Sequence, residues 1–272
     1  MKKILRSAVA IILCISIFGG TQVMACSPNR TIGGFSTIID FMERFASVFK
    51  GDKNEDAEMD ITIEQGEIFK ANKYFKSSHA STIVKMPDGN FMSAFFAGSA
   101  EGNADIRIWY SIHDGENWSA PKQMASADPV AHWNPVLVNY GDYVRLYYKV
   151  GMEIPYWVTK YTDSYDCGKT WTEPKELVAG DTSGGRGPVK NKPIRLKNGV
   201  VVAPASKETI TRNWKCFVDI SHDDGLTFER SNFVLRPKKN LKKVGMIQPT
   251  LWEDDNGGLH MLIRTDEGHI YK

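Results

Sequence analysis

The sequence predicts an all-β protein, a β-propeller of four-stranded blades, on three observations. An eight-residue box recurs three times, and a second, apolar series recurs in step with it. From residue 74 onward, Gly and Pro punctuate short β-type runs every eight to twelve residues, with no sustained helical period. The box is clearest in SYDCGKTW at 164–171, with Ser, Asp, Gly, Thr and Trp at positions one, three, five, seven and eight. SHDDGLTF at 221–228 keeps the pattern with Phe for Trp. SIHDGENW at 111–118 keeps Ser, Gly and Trp, and its acid, Asp114, stands one place late.

The second series begins at His79 (HASTIV), Asn134 (NPVLV), Lys192 (KPIRL) and Gln248 (QPTLW), at separations of 55, 58 and 56 residues. Each unit reads as two hairpin-linked strands, a third strand running into the box (DIRIWYS, YWVTKYTDS, KCFVDIS) and a fourth beyond it. Four antiparallel strands in a repeat of this length describe a propeller blade. One blade cannot bury both of its faces alone, so blades must stack around an axis. Three units are complete and the fourth reaches GHIYK, so about three and a half blades are expected over residues 61–272, in a repeat that reads as continuing. Within the box, Gly permits a positive φ, and the Asp and Ser or Thr side chains accept hydrogen bonds from turn amides. Asp166 and Asp223 are therefore expected to be staples at the outer rim and not catalysts, since each repeat carries one and a propeller has a single axial site.

A chain of 272 residues, 42% hydrophobic and 11% aromatic, has material for a large core. The formal charge is +2, near −1 without Lys2, Lys3 and Arg6, and no basic block stands out, which argues against a nucleic-acid partner. Residues 1–25 carry the order of an export signal: basic MKKILR, apolar SAVAIILCISIFGG and the small-residue boundary VMAC. The apolar run is short for a membrane span. Two outcomes stand open, cleavage after Ala25 or lipidation of Cys26, since VMAC also resembles a bacterial lipobox. The protein is expected in the periplasm, at the cell surface as a lipoprotein, or outside the cell, with membrane anchorage only through a lipidated Cys26. Residues 26–60 read as a tether with one short amphipathic helix, IIDFMERFASVF, and ITIEQGEIFK then alternates like a strand. Cys167 and Cys216 lack CxxC spacing and read as packing residues; no metal spacing occurs and no cofactor is implied.

The inner strands of a propeller present residues to the mouth of the central channel. The repeat therefore predicts a polar ring of His79, Asn134, Lys192 and Gln248, with Lys149, Glu208 and Arg264 returning to the same mouth fifteen or sixteen residues later. Lys192 and Glu208 also read as a neighbouring ion pair, and His79 as a hydrogen-bonded structural histidine. Asp105 starts a strand and is as suited to capping a turn as to catalysis. SGGRGPVKNKP at 183–193 puts Arg186, Lys190 and Lys192 in a loop that reads either as an anion-binding rim or as a solvated connection. Trp133 and Trp157 are candidates to stack on sugar faces.

The S-x-D-x-G-x-[TS]-[WF] box on a four-stranded repeat resembles the Asp-box, or BNR-repeat, propellers of the sialidase (neuraminidase) superfamily. HASTIV, AEGNADIRIWYS, HWNPVLV, LYYKVG, GPVKNKPI and IQPTL look like the bacterial sialidase-like group, over residues 74–272. The resemblance implies a sialidase-like propeller, six-bladed in the full family, and activity on a glycan. In that family three arginines hold the substrate carboxylate, the first within an Arg-Ile-Pro motif. A loop Asp is acid/base, a Glu partners a Tyr nucleophile, and another Arg lies sixteen residues after that Glu. Here the Arg-Ile-Pro position reads His79-Ala80-Ser81 and the Glu position reads Gln248, with Arg264 sixteen residues on and Glu101 in the acid/base loop. These departures imply a substrate other than ordinary sialosides. Three functions follow. One is an exo-acting glycoside hydrolase with Glu101 and Glu208 as its acidic pair. Another is a lyase for uronate-containing polysaccharides, with His79 as base and Arg264 or Lys192 as clamp. The third is a glycan-binding propeller without catalysis.

Overall fold

In a computed structural model of the chain, the described residues are 66–124, 128–236 and 244–272, and they form four antiparallel sheets. Blade 1 holds β1 (Ser77–Lys85), β2 (Phe91–Gly98), β3 (Arg107–His113) and β4 (Lys122–Gln123). Blade 2 holds β5 (His132–Asn139), β6 (Val144–Val150), β7 (Val158–Ser164) and β8 (Lys175–Glu176). Blade 3 holds β9 (Ile194–Arg195), β10 (Val201–Lys207), β11 (Lys215–Ser221) and β12 (Glu229–Arg230). Blade 4 holds β13 (Met246–Glu253), β14 (Leu259–Thr265) and β15 (Ile270–Tyr271). In every sheet the spatial order follows the chain order, the meander of a propeller blade. The export signal and tether expected over 1–60 lie outside the described residues. The alternating stretch at 61–70 is described only from Gly66, where no strand forms. No helix among the described residues is long and apolar enough to cross a membrane.

The second strands carry the core. β2, β6 and β10 are buried along nearly their whole length because both faces of each sheet meet a neighbour. Met92 and Phe96 of β2 pack with Leu137, Leu146 and Tyr148 of blade 2. Val136 and Tyr147 pack with Val201, Ala203 and Phe228 of blade 3. Cys216, Met246 and Ile263 join blades 3 and 4. Cys216 is thus a packing residue, as is the partly buried Cys167 against the first cluster.

The boxes close the turns after the third strands by the chemistry their residue types predict. Asp166 accepts from the Ser164 hydroxyl (2.9 Å), the Thr170 amide (2.8 Å) and the Thr170 hydroxyl (2.6 Å), while Ser164 Oγ accepts from the Gly168 amide (2.7 Å). Asp223, Ser221, Thr227 and Gly225 repeat this network within 0.1 Å. In the first box the displaced Asp114 accepts from the amides of Glu116 and Asn117 instead. The glycines are required twice over. Gly168 (φ 83°) and Gly225 (φ 80°) hold left-handed backbone, and a Cβ at either would collide with Met92 or with the Tyr140 hydroxyl of the preceding blade. Their carbonyls also key the blades together, Gly168 O accepting from Tyr110 Oη (3.1 Å) and Gly225 O from Arg145 Nη1 (2.7 Å).

Hydrogen bonds from Thr170 and Thr227 hold the Asp166 and Asp223 carboxyls at about 2, below their ordinary 3.8. A depressed folded-state pKa contributes stability that is complete above the unfolded value and is lost as pH falls through the folded one. Wild type should therefore lose melting temperature between about pH 4 and pH 2 more steeply than Asp166→Ala. Parallel acid melts of the two proteins would disprove the staple role.

Three inner strands bulge at one corresponding point. The pairing register jumps between His79 and Thr82, Trp133 and Val136, and Ile247 and Thr250. The first bulged residue takes a positive φ each time: Ala80 (55°), Asn134 (46°) and Gln248 (49°). A bulge re-aims the chain locally, and this one sets the true alignment. Ala80, and not His79, is the counterpart of Asn134 and Gln248, so the expected ring is one residue out of register in blade 1.

Candidate functional site at the channel mouth

Lys149 lies across from Trp133, and Arg264 across from Ile247, each opposite the residue that precedes its blade's bulge. The two cations therefore occupy the same place in blades 2 and 4. Glu208 follows directly on β10, in the loop leading to β11. A chain of polar contacts links these blades. Arg264 Nη1 donates to Gln248 Oε1 (2.9 Å), the Gln248 amide donates to Ser206 Oγ (3.4 Å), and Ser206 Oγ donates to Glu208 Oε1 (3.2 Å). Burial pushes the Glu208 carboxyl upward, against the Ser206 hydrogen bond and the positive charges of Lys149 and Arg264. Lys149 is wholly buried, its ammonium donating to Thr159 Oγ1 (2.7 Å) and to the Arg186 carbonyl (2.5 Å). Burial lowers its pKa to about 7, although Asp219, Glu208 and Asp181 pull the other way.

Glu208 also stands on the wall of an open cleft of about 320 Å³ between the β6–β7 and β10–β11 loops, lined with Ile154, Pro155, Ile210, Arg212 and Trp214. A weakened acid at the edge of an apolar cleft, held beside an arginine, can deliver a proton to a bound glycosidic oxygen. A second cavity, about 200 Å³ at the β5–β6 hairpin end, is lined by Val138, Tyr140 and Arg195 and has no carboxylate in its wall. The first cleft is the chemically equipped one.

The other expected residues are placed as follows. His79 stacks on Phe96 (centroids 5.5 Å apart), shares a hydrogen bond with Ser77 Oγ (2.9 Å) and lies 3.8 Å from the carboxylate of Glu101. His79 and Glu101 thus form a pair on blade 1, with Glu101 open to solvent. Asp105 accepts from both the amide and the hydroxyl of Ser99 (2.9 Å each), which lower its pKa; it caps a loop. Asn134 is buried in the β5 bulge. Lys192 donates to the Leu137 carbonyl and forms no ion pair with Glu208.

Two expectations need correcting. Arg186 lies in neither a solvated loop nor an anion-binding rim. Its Nε contacts both Asp219 oxygens (3.0 and 3.1 Å) and its Nη2 donates to the Phe228 carbonyl, so the guanidinium is spent on an internal pair. Trp133 and Trp157 cannot present faces to a sugar. Each is 6% exposed, they stack on one another at 5.5 Å, and both indoles donate to the Gly151 carbonyl. Sequence reasoning passed over Ser206, which ties Glu208 to Gln248. Its signal was available: two residues before Glu208 on an extended strand is the same face. Among the described residues no group of three His, Cys, Asp or Glu is placed to hold a metal ion.

The signature of the BNR repeat-like domain matches residues 89–272, and the chain belongs to that family. Its fold is that of the sialidase-like propellers. A protein of unknown function from Dyadobacter fermentans is similar at 17% identity and a TM-score of 0.58, covering 72% of this chain and 64% of that one. The Hadza microbial sialidase Hz136 is similar at 16% identity and 0.58, covering 72% and 43%. The Trypanosoma rangeli sialidase, solved with the inhibitor DANA, is similar at 19% identity and 0.52, covering 70% and 35%. The chain thus spans less than two thirds of each of these structures, and at such identities the likeness is one of fold. None of the curated proteins compared is similar in sequence.

Proposed function

We propose that this protein is an exported, exo-acting glycoside hydrolase of sialidase-like fold, acting on an acidic or neutral glycan other than ordinary sialosides. The observation that carries the reading is Glu208, a carboxylic acid weakened by burial on the wall of the apolar cleft and linked through Ser206 and Gln248 to Arg264. In this reading Glu208 protonates the leaving oxygen, and the solvated Glu101 activates water or stabilises the oxocarbenium-like transition state. Gln248 replaces the glutamate of the family pattern and serves to hold Arg264, which orients an acidic or hydroxyl group of the sugar. A single arginine cannot reproduce a three-arginine carboxylate clamp, which argues against sialosides. The basic start, apolar stretch and small-residue boundary of residues 1–25 support export, with Cys26 as the mature N-terminus by cleavage or lipidation.

The test is a panel of uronate, sulfated, neutral and sialylated oligosaccharides, assayed for released sugar. Cleavage within the first three groups is expected, and Arg264→Ala should lower kcat/KM by about 10²-fold with an unchanged melting temperature. Robust cleavage of sialyllactose, indifferent to Arg264→Ala, would reject the substrate assignment. An unsaturated uronate product would instead assign lyase chemistry, with His79 as the base. Mass spectrometry of the secreted protein checks export, and an intact Met1 would refute it.

A further inference from the structure

Blade 2 carries a tyrosine one rung beyond the end of three successive strands. Tyr140 follows β5 and Tyr143 precedes β6, and the Tyr140 amide donates to the Tyr143 carbonyl (2.9 Å) to close the hairpin. Tyr165 follows β7 directly after Ser164, which faces Val144, so it stands across from Tyr143. Residues opposite one another on paired strands share a face, and the three rings accordingly form a run. Tyr140 and Tyr143 stack with centroids 5.2 Å apart at 16°, and Tyr143 and Tyr165 lie 5.3 Å apart at 37°. The blade fold does not require this ladder, since the same rung of blade 3 holds Leu196, Val200 and His222. Lys149 and Thr159 mark the channel-mouth end of blade 2, so the ladder stands at the opposite end of the blade.

The ladder is held in place from behind and left open in front. Tyr140 Oη and Tyr147 Oη share a hydrogen bond (2.8 Å), and the Arg145 guanidinium, fixed by Asp163, lies 5.6 and 5.4 Å from the Tyr140 and Tyr143 centroids. A ring ordered in advance loses little entropy when a ligand settles on it. Tyr165, the last ring of the run, is 66% exposed, so its face away from Tyr143 is open to solvent. At the other end Tyr140 walls the cavity of about 200 Å³ together with Pro193, Ile194 and Arg195. Among the described residues, the hydroxyls of Tyr143 and Tyr165 and the exposed Asp142 carboxylate make no hydrogen bond. An aromatic surface edged with unengaged hydroxyls and a carboxylate suits a pyranose, whose C–H face packs on a ring while its hydroxyls reach the polar edge. Arg195 is paired with Asp224 and Asp142 adds a negative charge, so the electrostatics favour a neutral sugar over an acidic one.

We propose that Tyr140, Tyr143 and Tyr165 form a second glycan-binding site, a platform for the neutral pyranose units of a polysaccharide at the end of blade 2 remote from the channel mouth. One sugar stacks on the open face of Tyr165, with its hydroxyls on the Tyr143 hydroxyl and Asp142, and the chain runs on toward the cavity beside Tyr140. The platform binds and does no chemistry. It lies apart from the Glu208 cleft and stands without the hydrolase reading.

The experiment is affinity electrophoresis of the full chain through native gels that contain hydroxyethyl cellulose, laminarin or galactomannan. At least one of these neutral polysaccharides should retard wild type. Tyr165→Ala should raise the dissociation constant about tenfold or more, the cost of truncating an aromatic anchor, with an unchanged melting temperature because the ring is exposed. Tyr165→Trp should keep the retardation, since it restores an aromatic face. Glu208→Gln should also migrate as wild type, which separates the platform from the cleft. The proposal is overturned if no polysaccharide retards wild type, if Tyr165→Ala is retarded equally, or if Glu208→Gln abolishes the retardation. It is overturned as well if wild type, unretarded, self-associates in gel filtration and Tyr165→Ala does not, which would make the ladder a contact between copies of the chain.

Discussion

Glu208→Gln should lower kcat by about 10²–10⁴-fold on the responsive glycan, while the melting temperature stays within error of wild type. The amide keeps the size of the carboxyl and its acceptor for Ser206, so the hydrogen-bonded chain to Arg264 survives. What it loses is the proton. Burial raises the Glu208 pKa, which extends the pH range over which the acid form is present. The wild-type rate should fall as pH rises through that raised value, and Glu208→Gln should erase this limb of the profile. Glu101→Gln provides the contrast, because its carboxylate is exposed beside His79 on blade 1 and stands apart from the Ser206–Gln248–Arg264 chain. A Glu208→Gln enzyme with wild-type kcat and an unchanged alkaline limb would remove Glu208 from the chemistry and leave the blade 1 pair as the candidate.

Asp163→Ala should destabilise the fold by about 3–5 kcal/mol, measured by denaturant unfolding. Arg145 and Asp163 face each other across β6 and β7 with Nε to Oδ1 at 2.7 Å and Nη2 to Oδ2 at 2.9 Å. Their side chains are 2% and 9% exposed. The guanidinium also lies 4.2 Å from the Tyr161 ring centroid and donates to Gly225 of the next blade's box. Removing the carboxylate strands a buried cation at the joint between blades 2 and 3. Arg145→Met combined with Asp163→Ala should recover part of the loss, because replacing both partners of a buried pair is far less costly than removing one. The lost key to Gly225 should keep that recovery incomplete. A single-variant cost below about 1 kcal/mol would show that solvent reaches the pair and that the joint is held by apolar contacts alone.

The repeat, the blade and the box chemistry were legible in the sequence because they are local. The Asp166 and Asp223 networks span only a few residues, so the residue types that make them recur at recognisable spacing. Strand order was legible for the same reason, since each strand pairs with the next in the chain. Gln248 and Arg264 meet because hairpin-linked strands return to the same end of their blade, whereas Glu208, on blade 3, is linked to them only through Ser206. What the tertiary structure decided were choices among partners that no period encodes. The two-residue bulges moved Ala80 into the place assigned to His79, and a bulge is a backbone event that leaves the side-chain pattern almost unchanged. Trp133 met Trp157 instead of solvent, and Arg186 met Asp219, 33 residues away, instead of a ligand. A tryptophan or an arginine has the same identity whether it faces water or a neighbour. Only the packing of one blade on the next selects which contact it makes.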